Sequence, residues 1–400
     1  MTLPIAYLSF DVVPSHKGAA VHIESFVRSL AQANPTPHIP IELVTVAAAT
    51  NAPTANWPGV NHTVLPAVGK TLIDRIIHFR RHLQTWLQGK RFDVIQVRSI
   101  FEGMIIARQK QQFCNRLIFE VNGLPSIELK YRYPKVAEDL ELMNKLLTQE
   151  RLCLAAADKI VTPSYVTKAH LMQRGVSSER IQVIPNGVDL SVFTYQAPKV
   201  ETPLEAMHML YFGTLSAWQG VDLAIDALSL YRRDFEAKLT IVGPAKGKQI
   251  AKLEKLIQKL KVTDFVDILP ARPQRELVEL MHQADVIVAP LKANDRNLVQ
   301  GCCPLKVIEG MASGTPVITT ELPVVTDLGE CEKHFLAVRP GSAKAIKDGM
   351  LRLRTDAELR RLLSEQGRQQ VEQKYDWAIA HRALLEIYKP MSCAVHPVTT

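Results

Sequence analysis

The chain has 400 residues, which is too long for one ordinary hydrophobic core and favours two domains or more. Hydrophobic residues make up 47% and charged residues 22%, a composition that is typical of a globular protein and excludes a disordered or fibrous one. The formal net charge of +8 favours a phosphate-bearing or anionic partner. Nucleic acid is not indicated, because the sequence contains no zinc-finger spacing, aromatic-basic RNA motif or basic tail.

Cysteine usage and hydropathy indicate the cellular compartment. The six cysteines are scattered and form no C-x-x-C pair, which suits a reducing cytosol. Residues 1–18 lack a basic region before their apolar run, so they predict a first β-strand rather than a signal peptide. No apolar stretch is long enough to span a bilayer. We therefore expect a cytoplasmic protein, with any membrane contact limited to peripheral association at the inner face.

Short apolar segments alternate with helical ones along the whole chain, which predicts parallel sheets joined by crossover helices. In the first half the predicted strands are 5–10, 41–47, 93–98, 116–121, 159–163 and 182–185. The predicted helices between them are 19–33, 72–88, 103–112, 135–157 and 165–174. In the second half the predicted strands are 209–213, 238–243, 265–269, 286–290 and 316–319. The predicted helices there are 221–231, 248–260, 275–283, 305–312, 343–352, 357–375 and 377–388.

A turn and a polar stretch separate the two halves. Residues 185–189 contain a Pro and an Asn-Gly pair, and Pro198 and Pro203 interrupt the polar segment that follows. The predicted organisation is an N-terminal Rossmann-like domain (1–190), a linker (191–207), a C-terminal Rossmann-like domain (208–374), and a closing helix with a tail (375–400). Ligands of such sheets bind at the carboxyl ends of the strands, so we expect a cleft between the domains.

The first candidate for chemistry is the small-residue loop that begins at Lys17 and Gly18, directly after the first strand. Gly18 lets a ligand approach the backbone, and the helix that opens there offers unpaired N–H groups to an anion. His22 lies about one turn inside that helix. The alternative is an ordinary tight turn with His22 satisfied locally. The loop is not G-x-G-x-x-G, so a nicotinamide dinucleotide is not supported.

The second candidate is the loop after the first strand of the second half. Gly213 and Gly220 bracket it, and Thr214 and Gln219 can donate hydrogen bonds to phosphate oxygens. The alternative is an ordinary connection in which Trp218 only packs. We favour the functional interpretation, because the loop lies at the expected ligand edge of the sheet.

The third candidate is the helix predicted after Pro304 and ended by Gly314. Its N-terminus carries Lys306, and the helix dipole and the ammonium together would attract a diphosphate. Glu309, one turn further on, could accept hydrogen bonds from ribose hydroxyls. A capped helix with a solvated Lys and Glu is the alternative. Since Glu309 interrupts an otherwise apolar, small-residue run, we favour the interpretation in which Lys306 and Glu309 bind a ligand.

A fourth feature is the predicted helix 72–88, which has one apolar stripe and a concentration of positive charge in residues 72–91. The favoured interpretation is a surface helix packed on its own domain. The sharper alternative is docking on an anionic membrane or an acidic acceptor.

Six segments, taken in order, resemble the retaining GT-B glycosyltransferases of family 4. They are QERLCLAAADKIVTPS, IQVIPNGVDLSVF, YFGTLSAWQGVDLAIDAL, LTIVG, ADVIVAP and PLKVIEGMASGTPVI. The resemblance implies an α/β fold with two Rossmann-like parallel-sheet domains facing across a cleft, the acceptor in the N-terminal one and the nucleotide sugar in the C-terminal one. It implies that Glu309 matches the second glutamate of an E-x7-E pattern, which holds the ribose. The residues that we predict to bind the donor are Gly18, Gly213, Thr214, Gln219, Lys306, Val307 and Glu309.

On the acceptor side, His22 and Glu128 are the predicted catalytic residues, in contact with the sugar or the acceptor. Arg98 and Asn122 are the predicted acceptor-binding residues. The resemblance implies neither a metal nor a permanently bound cofactor, and no D-x-D motif occurs at a plausible site.

The sequence departs from the family pattern at four positions. Thr214 stands where an Arg is frequent, Gln219 where a Lys is usual, Gly301 at the first glutamate of E-x7-E, and Asn122 at a frequent His. The two missing cations would weaken the clamp on the departing diphosphate. The candidates to compensate are Lys306, Arg296 and Arg272.

The sequence therefore predicts a glycosyltransferase that moves a sugar from a nucleotide-sugar donor to a saccharide, lipid-linked or small-molecule acceptor with retention of configuration. Two alternatives stay open. One is a non-catalytic nucleotide-binding protein of the same fold, which the departures at Thr214, Gln219 and Gly301 motivate. The other is a sugar-nucleotide epimerase.

Overall fold

The computed structural model describes residues 4–15, 18–34, 36–47, 54–244 and 247–389. Lys17 of the predicted glycine loop and residues 390–400 of the predicted tail lie outside the described residues.

The first half of the described chain contains one parallel sheet in the order β3-β2-β1-β4-β5-β6-β7. Its strands are β1 (Ile5–Leu8), β2 (Ile41–Val46), β3 (Val60–Leu65), β4 (Phe92–Val97), β5 (Cys114–Glu120), β6 (Lys159–Thr162) and β7 (Ile181–Val183). Successive side chains of β1 pack into two different hydrophobic cores. Ala6 and Leu8 belong to the core on one face of the sheet, and Tyr7 belongs to the core on the other. Burial on both faces explains the nearly continuous apolar strands. The strand order reverses between β1 and β4, where a crevice for ligands opens.

The helices of this half are α1 (Gly18–Gln32), α2 (Leu72–Leu87), α3 (Ile100–Arg108), α4 (Lys110–Phe113), α5 (Pro125–Arg132), α6 (Leu140–Ala156) and α7 (Tyr165–Gln173). Two predicted helices differ from the structure. The helix predicted at 103–112 begins earlier, because Ser99 and Glu102 form a reciprocal capping box, and it is divided at Gln109. The helix predicted at 135–157 begins at Leu140 after a 3-10 turn, because the Asp139 carboxylate caps it.

The second half contains one parallel sheet in the order β10-β9-β8-β11-β12-β13 within the described residues. Its strands are β8 (Ala206–Phe212), β9 (Glu236–Val242), β10 (Val266–Leu269), β11 (Val286–Ala289), β12 (Val317–Thr320) and β13 (Leu336–Val338). Its helices are α8 (Val221–Tyr231), α9 (Gly247–Leu260), α10 (Gln274–Gln283), α11 (Leu305–Ser313), α12 (Pro323–Thr326), α13 (Ala343–Thr355), α14 (Ala357–Lys374) and α15 (Trp377–Tyr388). Both faces of this sheet are also buried.

The last helix, α15, packs against the first half of the chain. Ala380 and Leu384 belong to the same core as Tyr7. The hydroxyl of Tyr388 donates to Gln96 Oε1 at 2.6 Å, and the Arg116 guanidinium donates to the carbonyl of Tyr388 at 3.0 Å. Helix α15 therefore connects the second half of the chain to the core of the first.

Candidate active site in the cleft between the sheets

A cleft of about 1390 Å³ lies between the carboxyl ends of the two sheets. Most of the predicted site residues line it, namely Gly18, His22, Arg98, Asn122, Gly213, Thr214, Gln219, Lys306 and Glu309. Two do not. The Val307 side chain is fully buried in the core and its N–H bonds to the carbonyl of Pro304, and Glu128 lies outside the cleft wall. The structure thus brings the predicted residues from both halves to one cavity.

Helix α11 forms part of the floor of the cleft, with Lys306 in its first turn and Glu309 one turn on. Burial lowers the pKa of Lys306 to about 7, although the Glu309 carboxylate acts in the opposite direction. Burial likewise raises the pKa of Glu309 to about 7, against the opposing effect of the Lys306 ammonium. Within the described chain, Glu309 accepts no side-chain hydrogen bond, so its oxygens are available to a ligand.

The helix that follows the glycine loop reaches across the cleft toward α11. A Cβ at Gly18 would lie 3.1 Å from Leu305 Cδ1, which is tighter than an ordinary contact. Gly18 therefore permits the close approach of the two halves at the N-terminus of α11, where an anion is favoured.

A buried carboxylate, Glu120, organises the wall formed by the first sheet. It accepts hydrogen bonds from the Tyr7 hydroxyl at 2.5 Å, Gln96 Nε2 at 2.6 Å and Arg98 Nε at 2.9 Å, and also from Asn122. Although burial opposes its ionisation, Arg98 and His22 hold the pKa of Glu120 well below its usual range. The two predicted acceptor-binding residues are thus fixed by one carboxylate that the sequence analysis did not select.

His22 is almost fully buried beside this carboxylate. Its Nδ1 lies 3.0 Å from Asn186 Oδ1, and its Nε2 lies 2.9 Å from Glu120 Oε1 without the alignment of a hydrogen bond. The ring packs against Phe26 and Trp377, with centroids 4.1 and 5.7 Å away. Both nitrogens face protein atoms, so the catalytic role of His22 stays a prediction.

Glu128 lies on α5 and bridges the two halves instead of facing the cavity. Its carboxylate accepts from Arg296 Nε at 3.0 Å and from Gln300 Nε2 at 2.9 Å. Two further α5 side chains, Lys130 and Tyr131, contact Asp295. The catalytic role of Glu128 stays a prediction, and its contacts are those of a residue that joins the two halves.

Gly301, the position of the missing first glutamate, packs tightly against α7. It has φ 84°, and a Cβ there would lie 2.6 Å from the Thr167 nitrogen and 2.7 Å from Ser164 Oγ. A side chain at this position would collide with the first half of the chain, which explains physically why glycine replaces glutamate.

We expect Gly301→Ala to destabilise the protein more than Gly175→Ala does. Both glycines have positive φ, 84° and 86°, so alanine is strained at each. At Gly301, where ψ is 162°, the backbone lies in a region used almost only by glycine, and the strain is about 1–3 kcal/mol. Only Gly301 has neighbours in contact with the added Cβ, and overpacking adds about 1–3 kcal/mol. Thermal unfolding of the two variants measures the difference, and equal losses would contradict the tight fit at Gly301.

The basic helix α2 is packed on its own half of the chain. Phe79 and Leu83 are buried, and the Arg80 guanidinium donates to the carbonyls of Ile100 and Phe101 at 2.7 Å each. Of the described helices, none combines the length and the apolarity that crossing a bilayer requires.

Two parallel sheets with both faces covered, which face each other across a deep cleft and are joined by the returning helix α15, define the GT-B fold. Residues 16–192 match the family described as Glycosyltransferase Family 4, and residues 195–370 match the one described as Glycosyl transferases group 1. The chain belongs to glycosyltransferase family 4.

A sequence relative agrees with this assignment, and solved structures share the fold. The D-inositol 3-phosphate glycosyltransferase of Pseudarthrobacter chlorophenolicus is 26% identical over 354 residues, 80% of this chain and 79% of that protein. Sucrose-phosphate synthase of Thermosynechococcus elongatus has a TM-score of 0.80 at 21% identity, covering 96% of this chain and 98% of that one. Anabaena HepE in complex with UDP-glucose has a TM-score of 0.70 at 16% identity, covering 96% and 99%.

Proposed function

We propose that this glycosyltransferase moves a sugar from a nucleotide-sugar donor to a saccharide, lipid-linked or small-molecule acceptor, with retention of anomeric configuration. The observation that carries the proposal is the pairing of Lys306 and Glu309 one turn apart on α11, at the floor of the cleft. The Lys306 ammonium can donate charge-assisted hydrogen bonds to a diphosphate, and the free Glu309 carboxylate can accept hydrogen bonds from ribose hydroxyls. The UDP-glucose held by HepE, a protein of the same fold, supports a nucleotide sugar as donor.

In the proposed reaction, the bond between the anomeric carbon and the phosphate oxygen breaks, and its electron pair stays on the departing diphosphate. The acceptor hydroxyl oxygen bonds to the same face of that carbon, and its proton passes to the diphosphate. The negative charge that develops is stabilised by the N-terminus of α11 and by Lys306. The proposal requires neither a metal ion nor a permanently bound cofactor.

The remaining predicted donor residues would act mainly through close backbone approach. Gly18 and Gly213 border the space above the N-terminus of α11, and Thr214 is exposed to the cleft. Val307 can contribute only through the helix backbone, because its side chain is in the core.

We place the acceptor in the part of the cleft that lies between α1 and α15. Ser25, Arg28 and Ser29 line it from α1, and Trp377 and His381 line it from α15. Hydroxyl-rich acceptors suit this surface, since it offers hydrogen-bonding groups beside an aromatic face. Arg98 and Asn122 lie at its inner end, on the first sheet.

Peripheral contact with an anionic membrane through residues 72–91 is a further part of the proposal, and would place a lipid-linked acceptor near the cleft. Ile73 and Ile77 are 50% and 45% exposed, and Arg81 and Lys90 add exposed positive charge to the same segment.

The test is a calorimetric binding and hydrolysis screen of the purified protein against UDP-, GDP- and ADP-sugars. We expect one donor to bind and to be slowly hydrolysed. Glu309→Ala should weaken its binding by about tenfold to a hundredfold, because hydrogen bonds to a charged group are lost.

Glu279→Ala is the matched control, since Glu279 is an exposed glutamate of the same half, on α10 and outside the cleft. It should bind the donor as the wild type does. Absence of binding by the wild type to all three donor classes would contradict the proposed function, and equal binding by Glu309→Ala would contradict the ribose assignment.

A further inference from the structure

Lys306 is a buried cation without a counter-ion in the described part of the chain. Its side chain is almost completely buried, yet its Nζ contacts only neutral acceptors: the Tyr211 hydroxyl at 2.9 Å and Gln219 Oε1 at 2.7 Å. Other buried cations of the cleft have carboxylate partners, since Arg98 pairs with Glu120 and Arg296 with Glu128. A buried charge is costly unless it is paired, so an anion is expected at this position.

We infer that Lys306 supplies the cation that binds the departing diphosphate, and that Gln219 and Tyr211 position its ammonium group. The inference rests on the proposed function. It selects Lys306 over Arg296 and Arg272, and it gives Gln219 a different role from direct phosphate binding. In this chain the cation is at position 306 and not at position 219, and the two side chains are in contact.

Arg296 and Arg272 are less suited to this role. Arg296 is already paired with Glu128 in the contact between the two halves. Arg272 lies at the rim, where its guanidinium is 3.4 Å from Glu276 and largely in solvent. Lys306, in contrast, lies at the helix N-terminus, with its Nζ 3.8 Å from the place where a Cβ at Gly213 would be.

Tyr211 and Gln219 constrain the ammonium from two sides. The Tyr211 hydroxyl donates to the carbonyl of Thr214 at 2.7 Å, so its lone pairs face Lys306, whose Nζ is 4.0 Å from the ring centroid. Burial raises the pKa of Tyr211 well above its usual value, which keeps the hydroxyl neutral. Gln219 precedes Gly220 in a 3-10 turn and offers its carbonyl oxygen to the ammonium. One N–H of Lys306 is left for a ligand oxygen.

The test measures binding of inorganic pyrophosphate by calorimetry and hydrolysis of the donor found in the screen. Lys306→Gln should weaken pyrophosphate binding about tenfold and lower donor turnover about a hundredfold, the usual effect of removing one transition-state donor. The reciprocal exchange, Gln219→Lys with Lys306→Gln, should recover most of both losses, because the cation returns to the same place from the other side chain.

One variant and its control distinguish the positioning of the Lys306 ammonium from the binding of pyrophosphate. Tyr211→Phe should lower turnover more than it weakens pyrophosphate binding, because the charge remains but is less well oriented. Lys347→Gln is the control, since Lys347 is a partly buried lysine of the same half that is paired with Asp234 outside the cleft.

The inference is overturned if the wild type does not bind pyrophosphate, or if Lys306→Gln binds it as tightly as the wild type does. It is also overturned if the exchange variant folds but recovers neither pyrophosphate binding nor donor turnover. The protein could also bind pyrophosphate through Lys306 and yet use no nucleotide sugar. That result would support the anion site and contradict the proposed function.

Discussion

Replacing Glu120 with alanine should destabilise the protein by about 3–5 kcal/mol, the cost of leaving a buried charge without its partner. The substitution removes the carboxylate that pairs with Arg98 and lies 2.9 Å from His22, and it strands the hydroxyl of Tyr7. The Arg98 guanidinium keeps one partner, Asp11, whose side chain is 43% exposed and therefore compensates weakly. Equilibrium urea unfolding followed by circular dichroism measures the loss.

The matched control is Glu141→Ala, which removes an exposed ion pair with Lys145 and should leave the urea midpoint unchanged. Equal midpoints for Glu120→Ala and the wild type would contradict the organising role of Glu120.

The Glu120 effect has a defined pH dependence. The pKa of Glu120 is held below its usual value of 4.5, because Arg98 and His22 outweigh the effect of burial. A carboxylate with a lowered folded-state pKa contributes stability that is complete above the unfolded value and is lost as pH falls through the folded value. The difference in unfolding free energy between wild type and Glu120→Gln should therefore be constant above about pH 4.5 and shrink below it.

The interior strands and the edge strands β7 and β10 could be predicted from the sequence, whereas the edge strands β3 and β13 could not. Strands such as β1 and β11 are buried on both faces, and their sequences are continuous apolar runs. The edge strand β3 contains Asn61 and His62 and is only partly buried, and β13 has three residues. Neither gives a periodic signal that exceeds that of a loop.

Helix α5 was not predicted, because contacts distant in sequence specify it. It begins at Pro125 and has only eight residues, which are too few for a clear periodic signal. The Glu150 carboxylate of α6 accepts from Ser126 nitrogen at 2.9 Å and from Ser126 Oγ at 2.8 Å, which caps the helix from another element. No local pattern reports such a cap.

The cleft wall formed by α11 was easier to predict from the sequence than the wall formed by the first sheet. Lys306 and Glu309 occupy a helix whose start and end are marked by Pro304 and Gly314. Glu120 was missed, although a glutamate that ends an apolar strand was a usable signal. The contact of the Leu124 nitrogen with Gln300 Oε1 joins residues 176 positions apart, so local spacing could not suggest it.

Affinity for the nucleotide sugar should pass through a maximum near pH 7. Binding needs Lys306 protonated to meet the diphosphate and Glu309 ionised to accept from the ribose, and burial brings the pKa of each to about 7 from opposite directions. Below pH 7 Glu309 gains a proton, and above pH 7 Lys306 loses one. On each side affinity should fall by about tenfold per pH unit once the pH is well beyond the pKa. Calorimetry between pH 5.5 and about 8.5 measures the profile, in the range set by these pKa values.

Two variants assign the two limbs of this profile. In Lys306→Arg the new guanidinium stays charged throughout this pH range, because its pKa lies far above it. The alkaline limb of the affinity profile should therefore disappear. Glu309→Gln cannot titrate, so the acidic limb should disappear while affinity at pH 7 falls. The donor itself contributes little, because a sugar-substituted diphosphate lacks the terminal phosphate group that titrates near pH 6. An alkaline limb that persists in Lys306→Arg would show that another group carries it, and would contradict the titration of Lys306 in this pH range.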